Sequence, residues 1–295
     1  MRGNHGFTLI EMISVMVITT ILASVVWRAI VPQIAGARDA TTRAALVDYA
    51  ETALSRMTRE LRLALPNSIR INNAGNAIEF LRTRSGGRYR AEGDGSNNDL
   101  CTAPDADAIN LASTRDCVEM VGGMPNAAQI VSGSGGRTAC MAGRIDCITI
   151  YNTGQSGANA YTGDDLAGVA AVVNNARGVA LTFDRSDVGT LMPRASPNQR
   201  LHVVDSAVSF VCDLGARTLN RYAGYGISAA MAVPPAGTAQ PLALEVSACV
   251  FRYTPGTATR AGLVSVEIAV SATNTSAGTT ETVSLLQQVS VVNAP

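Results

Sequence analysis

Few side chains in this sequence have the type and spacing that bond-making chemistry needs. Its two histidines are His5 and His202, and His202 lies in RLHVVD, which reads as a strand. Around Ser156 (GQSG) and Ser134 (GSGG) the glycines fall short of the G-x-S-x-G elbow that exposes a nucleophilic serine. No H-E-x-x-H run is present. All 23 basic residues are arginine, which excludes a P-loop lysine, a Schiff-base lysine and a lysine base. Asp94, Asn97, Asn98 and Asp99 in GDGSNND could offer oxygen ligands to Ca²⁺, but they lack the EF-hand spacing, and a polar turn is expected. These residues predict a chain that is not an enzyme and holds no metal or cofactor.

The cysteines are Cys101, Cys117, Cys140, Cys147, Cys212 and Cys249. None forms a C-x-x-C pair and no histidine lies near them in sequence, so zinc ligation and dithiol redox chemistry are weak readings. An even number beside an export-type N-terminus points to disulfides made in an oxidising compartment. Six cysteines allow fifteen connectivities. The favoured one is Cys101–Cys117, Cys140–Cys147 and Cys212–Cys249, and the alternative is that some are free, buried thiols.

One carboxylate remains to be explained. In HGFTLIEMISVMVITTILASVVW, residues 5–27, the run from Met12 to Trp27 carries no charge, and Glu11 sits at its start. A helix from Phe7 to Trp27 would rise roughly 30 Å, enough to cross a hydrocarbon core. Arg2 in the short polar leader predicts that the leader stays cytoplasmic. A cleaved signal peptide and a plain signal anchor both fit the apolar run. Neither explains an acid that would cost about 2.5–3.5 kcal/mol at a bilayer centre and less near the interface.

The elements that would position Glu11 and the cysteines follow from periodicity. From about Asp39 to Leu65, apolar residues recur at spacings of three and four: Leu46, Tyr49, Ala50, Ala53, Leu54, Met57, Leu61, Ala64 and Leu65. That stripe predicts one long helix running on from the membrane, packed on a sheet and stopped by Pro66-Asn67. Ala77–Leu81 reads as a short strand. Residues 82–144, with SGGRYRAEGDGSNND, VSGSGGR and four of the cysteines, read as a long loop. Beyond Arg144, ITIYN, VALTFD, HVVDSAVSFVCDL, ALEVSACVFRY, LVSVEIAVSA and TVSLLQQVSVV are rich in Val, Ile and Thr, and predict antiparallel strands. A formal net charge of zero argues against nucleic-acid binding through the overall field.

The stretch Gly6-Phe7-Thr8-Leu9-Ile10-Glu11 resembles the cleavage and methylation motif of type IV prepilins and type II secretion pseudopilins. The resemblance implies that a prepilin peptidase cuts between Gly6 and Phe7 and N-methylates Phe7. It also implies that Glu11 neutralises the N-terminal ammonium of a neighbouring subunit during assembly. A desolvated pair avoids the cost of either charge alone. Many family members carry a helix-kinking proline late in the apolar stretch. Arg28 stands at about that place here and Pro32 follows, so a kink or local melting is expected there.

Further along, ELRLALPNSIRI, VVDSAVSFVCD, NRYAGYG and QQVSVVNAP look like the O-type minor pilins of the MSHA (mannose-sensitive haemagglutinin) pilus, which are similar in outline to the J-type minor pseudopilins. The implied fold is α+β and pilin-like, a long N-terminal helix on an antiparallel sheet. Its parts would be a cytoplasmic leader over 1–6, a transmembrane helix over 7–31, an amphipathic continuation over 32–66 and a periplasmic β-rich region over 67–295 that includes the loop 82–144. The implied function is structural, in assembly of an MSHA-like pilus, with a type II secretion pseudopilin and a pilus-tip adhesin as alternatives. The implied partners are the prepilin peptidase, other minor and major pilins, the assembly platform and inner-membrane lipid, with no nucleic acid. The chain would sit in the inner membrane as a single-pass protein and later in the pilus.

Overall fold

The computed structural model describes residues 8–93, 100–101, 108–257, 260–274 and 279–292. Its first element is a single helix, α1, over Leu9–Leu61. Proline at position 32 has no N–H to give to the carbonyl of Arg28, yet α1 is helical on both sides of it, so the expected local melting is absent. The helix stops four residues earlier than its apolar stripe suggested. Leu65 precedes Pro66 and is steered away from helical backbone. Its N–H donates instead to the carbonyl of Leu81 at 2.7 Å, and the Thr83 N–H donates to Leu63.

The chain divides into two compact units, one of residues 1–49 with 271–283, the other of residues 50–270 with 284–295. In the first unit α1 is exposed over its apolar half, and Leu46 is buried. Tyr49, placed on the buried stripe by its spacing, is 40% exposed. In the second unit the α1 stripe holds: Ala50, Ala53, Leu54, Met57 and Leu61 are all buried.

The second unit is built on strands β1 (Arg70–Ile71), β2 (Ala77–Tyr89), β3 (Arg115–Val121), β4 (Cys147–Thr149), β5 (Ala167–Asn175), β6 (Gly178–Asp184), β7 (Arg200–Asp213), β8 (Thr218–Tyr225) and β9 (Thr238–Leu244). A short helix, α2 (Gly136–Met141), precedes β4. Every pairing is antiparallel. The axis is the long β2–β7 ladder, from Ala77 opposite Val211 to Arg88 opposite Arg200. At one end it lies in an open sheet with β1, β8 and β9. There the single Nε–H of Arg221 on β8 is shared between the two carboxylate oxygens of Glu60 on α1, at 2.8 and 2.7 Å. At the other end the strands close a ring, β2-β3-β6-β5-β4-β7 and back to β2. Each strand of the ring sends side chains to one buried cluster, among them Tyr89, Val118, Ile148, Val169, Leu181, Phe183, Leu201 and Val203.

The switch from open sheet to ring coincides with two bulges. The register skips Asp205 on β7 and Arg84 on β2. Extra residues of this kind bend a strand and increase its twist. Both carry charge and both are paired: Arg84 Nε lies 2.7 Å from Asp146, the Arg84 guanidinium lies 3.4 Å from Asp205, and Arg82 clasps Asp205.

The loop expected over 82–144 is corrected by this arrangement. Arg82–Tyr89 continue β2, Arg115–Val121 form β3 and Gly136–Met141 form α2. Glycine at 86 and 87 resembled loop because glycine is poor in strands. Here a Cβ on Gly87 would lie 2.8 Å from the end of the Met120 side chain, and one on Gly86 3.1 Å from the His202 ring, so a larger residue at either would make its neighbour shift. The segment ALEVSACVFRY also divides. Glu245 has φ +58° and ends β9, and the chain restarts as β10 (Val246–Thr254) in a second sheet with β11 (Gly262–Asn274) and β12 (Thr279–Val291).

All six cysteines are bridged, in the three favoured pairs. Cys101–Cys117 ties Cys101 to β3. Cys140–Cys147 ties α2 to β4. Cys212–Cys249 joins β7 to β10 and so links the two sheets, and the N–H of Phe251 adds a 2.7 Å bond to the carbonyl of Gly75.

Candidate functional site

The first turn of α1 brings together the residues singled out near the N-terminus, as far as they are described. Gly6 and Phe7 lie outside the described residues, as do Asp94, Asn97, Asn98 and Asp99. Thr8 caps the helix: its carbonyl accepts the first helical bond, from the Met12 N–H at 3.2 Å. Its hydroxyl accepts from the Glu11 N–H at 3.4 Å, and the Glu11 carboxylate accepts from the Thr8 N–H at 3.5 Å. These two long contacts form a reciprocal capping box, for which T-x-x-E is the sequence signature. The methylation motif implies only an intermolecular partner for Glu11, whereas Thr8-Leu9-Ile10-Glu11 spells out this one within the chain. An acid in the first turn also suits the positive end of the helix.

Behind the cap, Leu9–Ile30 form a 22-residue stretch of mean hydropathy 2.3, none of it buried within the protein. At about 1.5 Å per residue it is about 33 Å long, against about 30 Å for a bilayer core. Leu9, Ile10 and Trp27 are 82%, 74% and 71% exposed. The hydroxyls within the stretch need no outside partner. Ser14 donates to the carbonyl of Ile10, Thr19 to Val15, Thr20 to Met16 and Ser24 to Ile21, at 2.6–2.8 Å. Each polar group is thereby satisfied inside one helix, as an apolar medium requires. Trp27 and Arg28 at the far end are of the residue types that suit a membrane interface, one an amphipathic ring and one a side chain long enough to reach water.

Several charged and polar groups of the β-rich unit are buried within it. Burial pushes the pKa of His202 down to about 4, helped by Arg200, and its Nε2 has no partner among the described residues. It stands opposite Gly86 in the β2–β7 ladder and opposite Thr149 in the β4–β7 ladder, where the Thr149 hydroxyl donates to Asp165. Asp165, buried, has its pKa pushed up to about 6 by desolvation, while the Thr149 hydroxyl and the Tyr151 N–H donate to it and moderate the shift. Arg185 is buried and spends its donors on carbonyls, Thr190 at 2.9 Å, Asp164 at 2.9 Å and Leu166 at 2.8 Å. Among the described residues no group of three or more His, Cys, Asp and Glu could hold a metal ion.

Compared with known proteins, residues 1–27 match the family model for the prokaryotic N-terminal methylation motif. No curated protein and no solved structure matches the chain. A methylation motif followed by an exposed apolar helix and an antiparallel β domain supports a type IV pilin-like, membrane-anchored protein whose N-terminus a prepilin peptidase processes.

Proposed function

We propose that the protein is a minor pilin that acts structurally in assembling an MSHA-like type IV pilus. The observation that carries this reading is the methylation motif at the head of a helix that has no cover of its own over Leu9–Ile30. Such a surface must be covered by lipid before assembly and by neighbouring helices after it. The peptidase cuts between Gly6 and Phe7 and methylates Phe7. The chain is the substrate of that reaction. Glu11, held toward the start of the helix by its capping box, then faces the place where processing creates an ammonium, and pairs with the ammonium of a neighbour. Three disulfides fit folding on the oxidising, periplasmic side of the inner membrane. The O-type minor pilins of the MSHA system are the finer assignment, resting on the downstream likeness in VVDSAVSFVCD and NRYAGYG.

The test is mass spectrometry of the mature protein with piliation counts in a deletion strain. The mature chain should begin at N-methylated Phe7, and deletion should reduce piliation. An intact Met1, or a start near Val25, sinks the reading. A deletion strain with normal pili and impaired protein secretion moves it to the type II system.

A further inference from the structure

The sheet edges of the β-rich unit are guarded, with one exception. Edge strand β1 has two residues, and β9 carries Pro241 in its middle. Strand β10 is held by the Cys212–Cys249 bridge and by the bond from Phe251 to Gly75. Among the described residues, strand β12 pairs with β11 alone. From Thr282 to Val292 it has no charge, no proline and no glycine. Short length, prolines, lysines and covering loops are the usual means of stopping an edge from pairing with another chain. Beyond Glu281, strand β12 shows none of them among the described residues.

Over Ser284–Val292 the even-numbered residues Ser284, Leu286, Gln288, Ser290 and Val292 are exposed, with Leu286 at 61%. A cleft of about 460 Å³ opens beside Leu285, Leu286 and Gln287 of this strand, within the same compact unit. Its other wall is α1, from Glu51 through Ser55 and Arg59 to Arg62, with Leu54 and Leu285 also lining it. Arg59 and Arg62 have no acidic partner among the described residues. Glu51 lies two helical turns away, about 12 Å along the axis.

We propose that β12 is a docking edge that accepts an extended strand from a different, membrane-anchored subunit, with an acidic side chain of that strand meeting Arg59 and Arg62. An exposed ladder of N–H and C=O groups is satisfied along its length by another extended chain, which is why a strand fits here and a helix does not. Charge selects a different subunit over a second copy. Copies anchored in one membrane by the same span stand parallel at the same depth. Glu51 would then meet Glu51, and the arginines would meet arginines. The membrane-anchored character of the donor rests on the pilin-like reading; the strand addition rests on the edge alone.

The test uses the full chain in the membranes of the bacterium that makes it, with the photocrosslinker p-benzoylphenylalanine in place of Gln288. The expected adduct joins this position to an extended segment of a different subunit. It should fall at least tenfold with Leu286→Lys, which installs a guard on the edge, and with Arg59→Glu/Arg62→Glu, which reverses the cleft. Retention of all three disulfides shows that each variant has folded. An adduct to a second copy, to a helix or to a carbohydrate overturns the proposal, as does one unaffected by both variants or the absence of any. Sequencing the N-terminus of the same sample separates the two failures. Methylated Phe7 without an adduct leaves the pilin-like reading standing, whereas a strand adduct on an unprocessed chain overturns that reading and keeps the edge.

Discussion

Glu11 serves two ends that substitution can separate. A glutamine can keep the capping box, because the box needs an acceptor three residues after Thr8 and not a charge. Glu11→Gln should therefore keep the helix start and lose assembly, and Glu11→Ala should lose both while membrane insertion survives. Filament incorporation scored beside membrane fractionation decides it. Wild-type assembly of Glu11→Gln would assign the residue to its own helix. At Asp165 the question is one of pH. Its folded pKa of about 6 lies above the usual 3.8, so its contribution to stability is full below about pH 4 and lost as pH rises to about 6. His202, lowered to about 4 from 6.5, acts the other way, and its contribution is lost as pH falls from about 6.5 to about 4. The two oppose each other over the shared interval. Asp165→Asn should add roughly 1–3 kcal/mol near pH 7. It should also steepen the loss of stability between pH 6 and 4, as read by urea denaturation at several pH values. A gain that persists unchanged at pH 4 would contradict the sign.

For the elements, α1 tests how far periodicity carries. Met57 is buried at 1% exposure, and Met57→Ala should cost about 2–5 kcal/mol in a denaturation series. Tyr49 lies on the same spacing but is exposed, and Tyr49→Ala should change stability by less than about 0.5 kcal/mol. Spacing put both on one stripe, because a helical pattern marks a face and leaves open where its cover begins. The strands divide in the same manner. Val179–Asp184 and Arg200–Asp213 were legible as alternating Val-rich runs. The Gly86-Gly87 part of β2 was not, since its glycines answer to Met120 and His202, which are distant in sequence. Thr8 and Glu11 spelled a capping box that could have been read directly.

At the scale of the whole molecule, the bridge between the sheets should matter most. Cys212 and Cys249 are 37 residues apart, Cys140 and Cys147 only 7. On the loop-entropy account, the longer loop contributes about 1.4 kcal/mol more. Alanine at both members of the long pair should lower the denaturation midpoint further than alanine at both members of the short one. Equal losses would show that the Cys212–Cys249 bridge adds nothing beyond local bracing.

What the sequence alone determined is local or covalent. The methylation motif, the uncharged run that follows it, the period of the helix and the oxidised cysteines each depend on neighbouring residues or on a count. Tertiary structure decided the ring that closes β2 onto β7, the bulges at Arg84 and Asp205 where the sheet turns, the break at Glu245 between two sheets, and the open edge of β12. All four concern which strands meet. Strand pairing joins residues more than a hundred positions apart, and it is set by packing that no window of sequence contains.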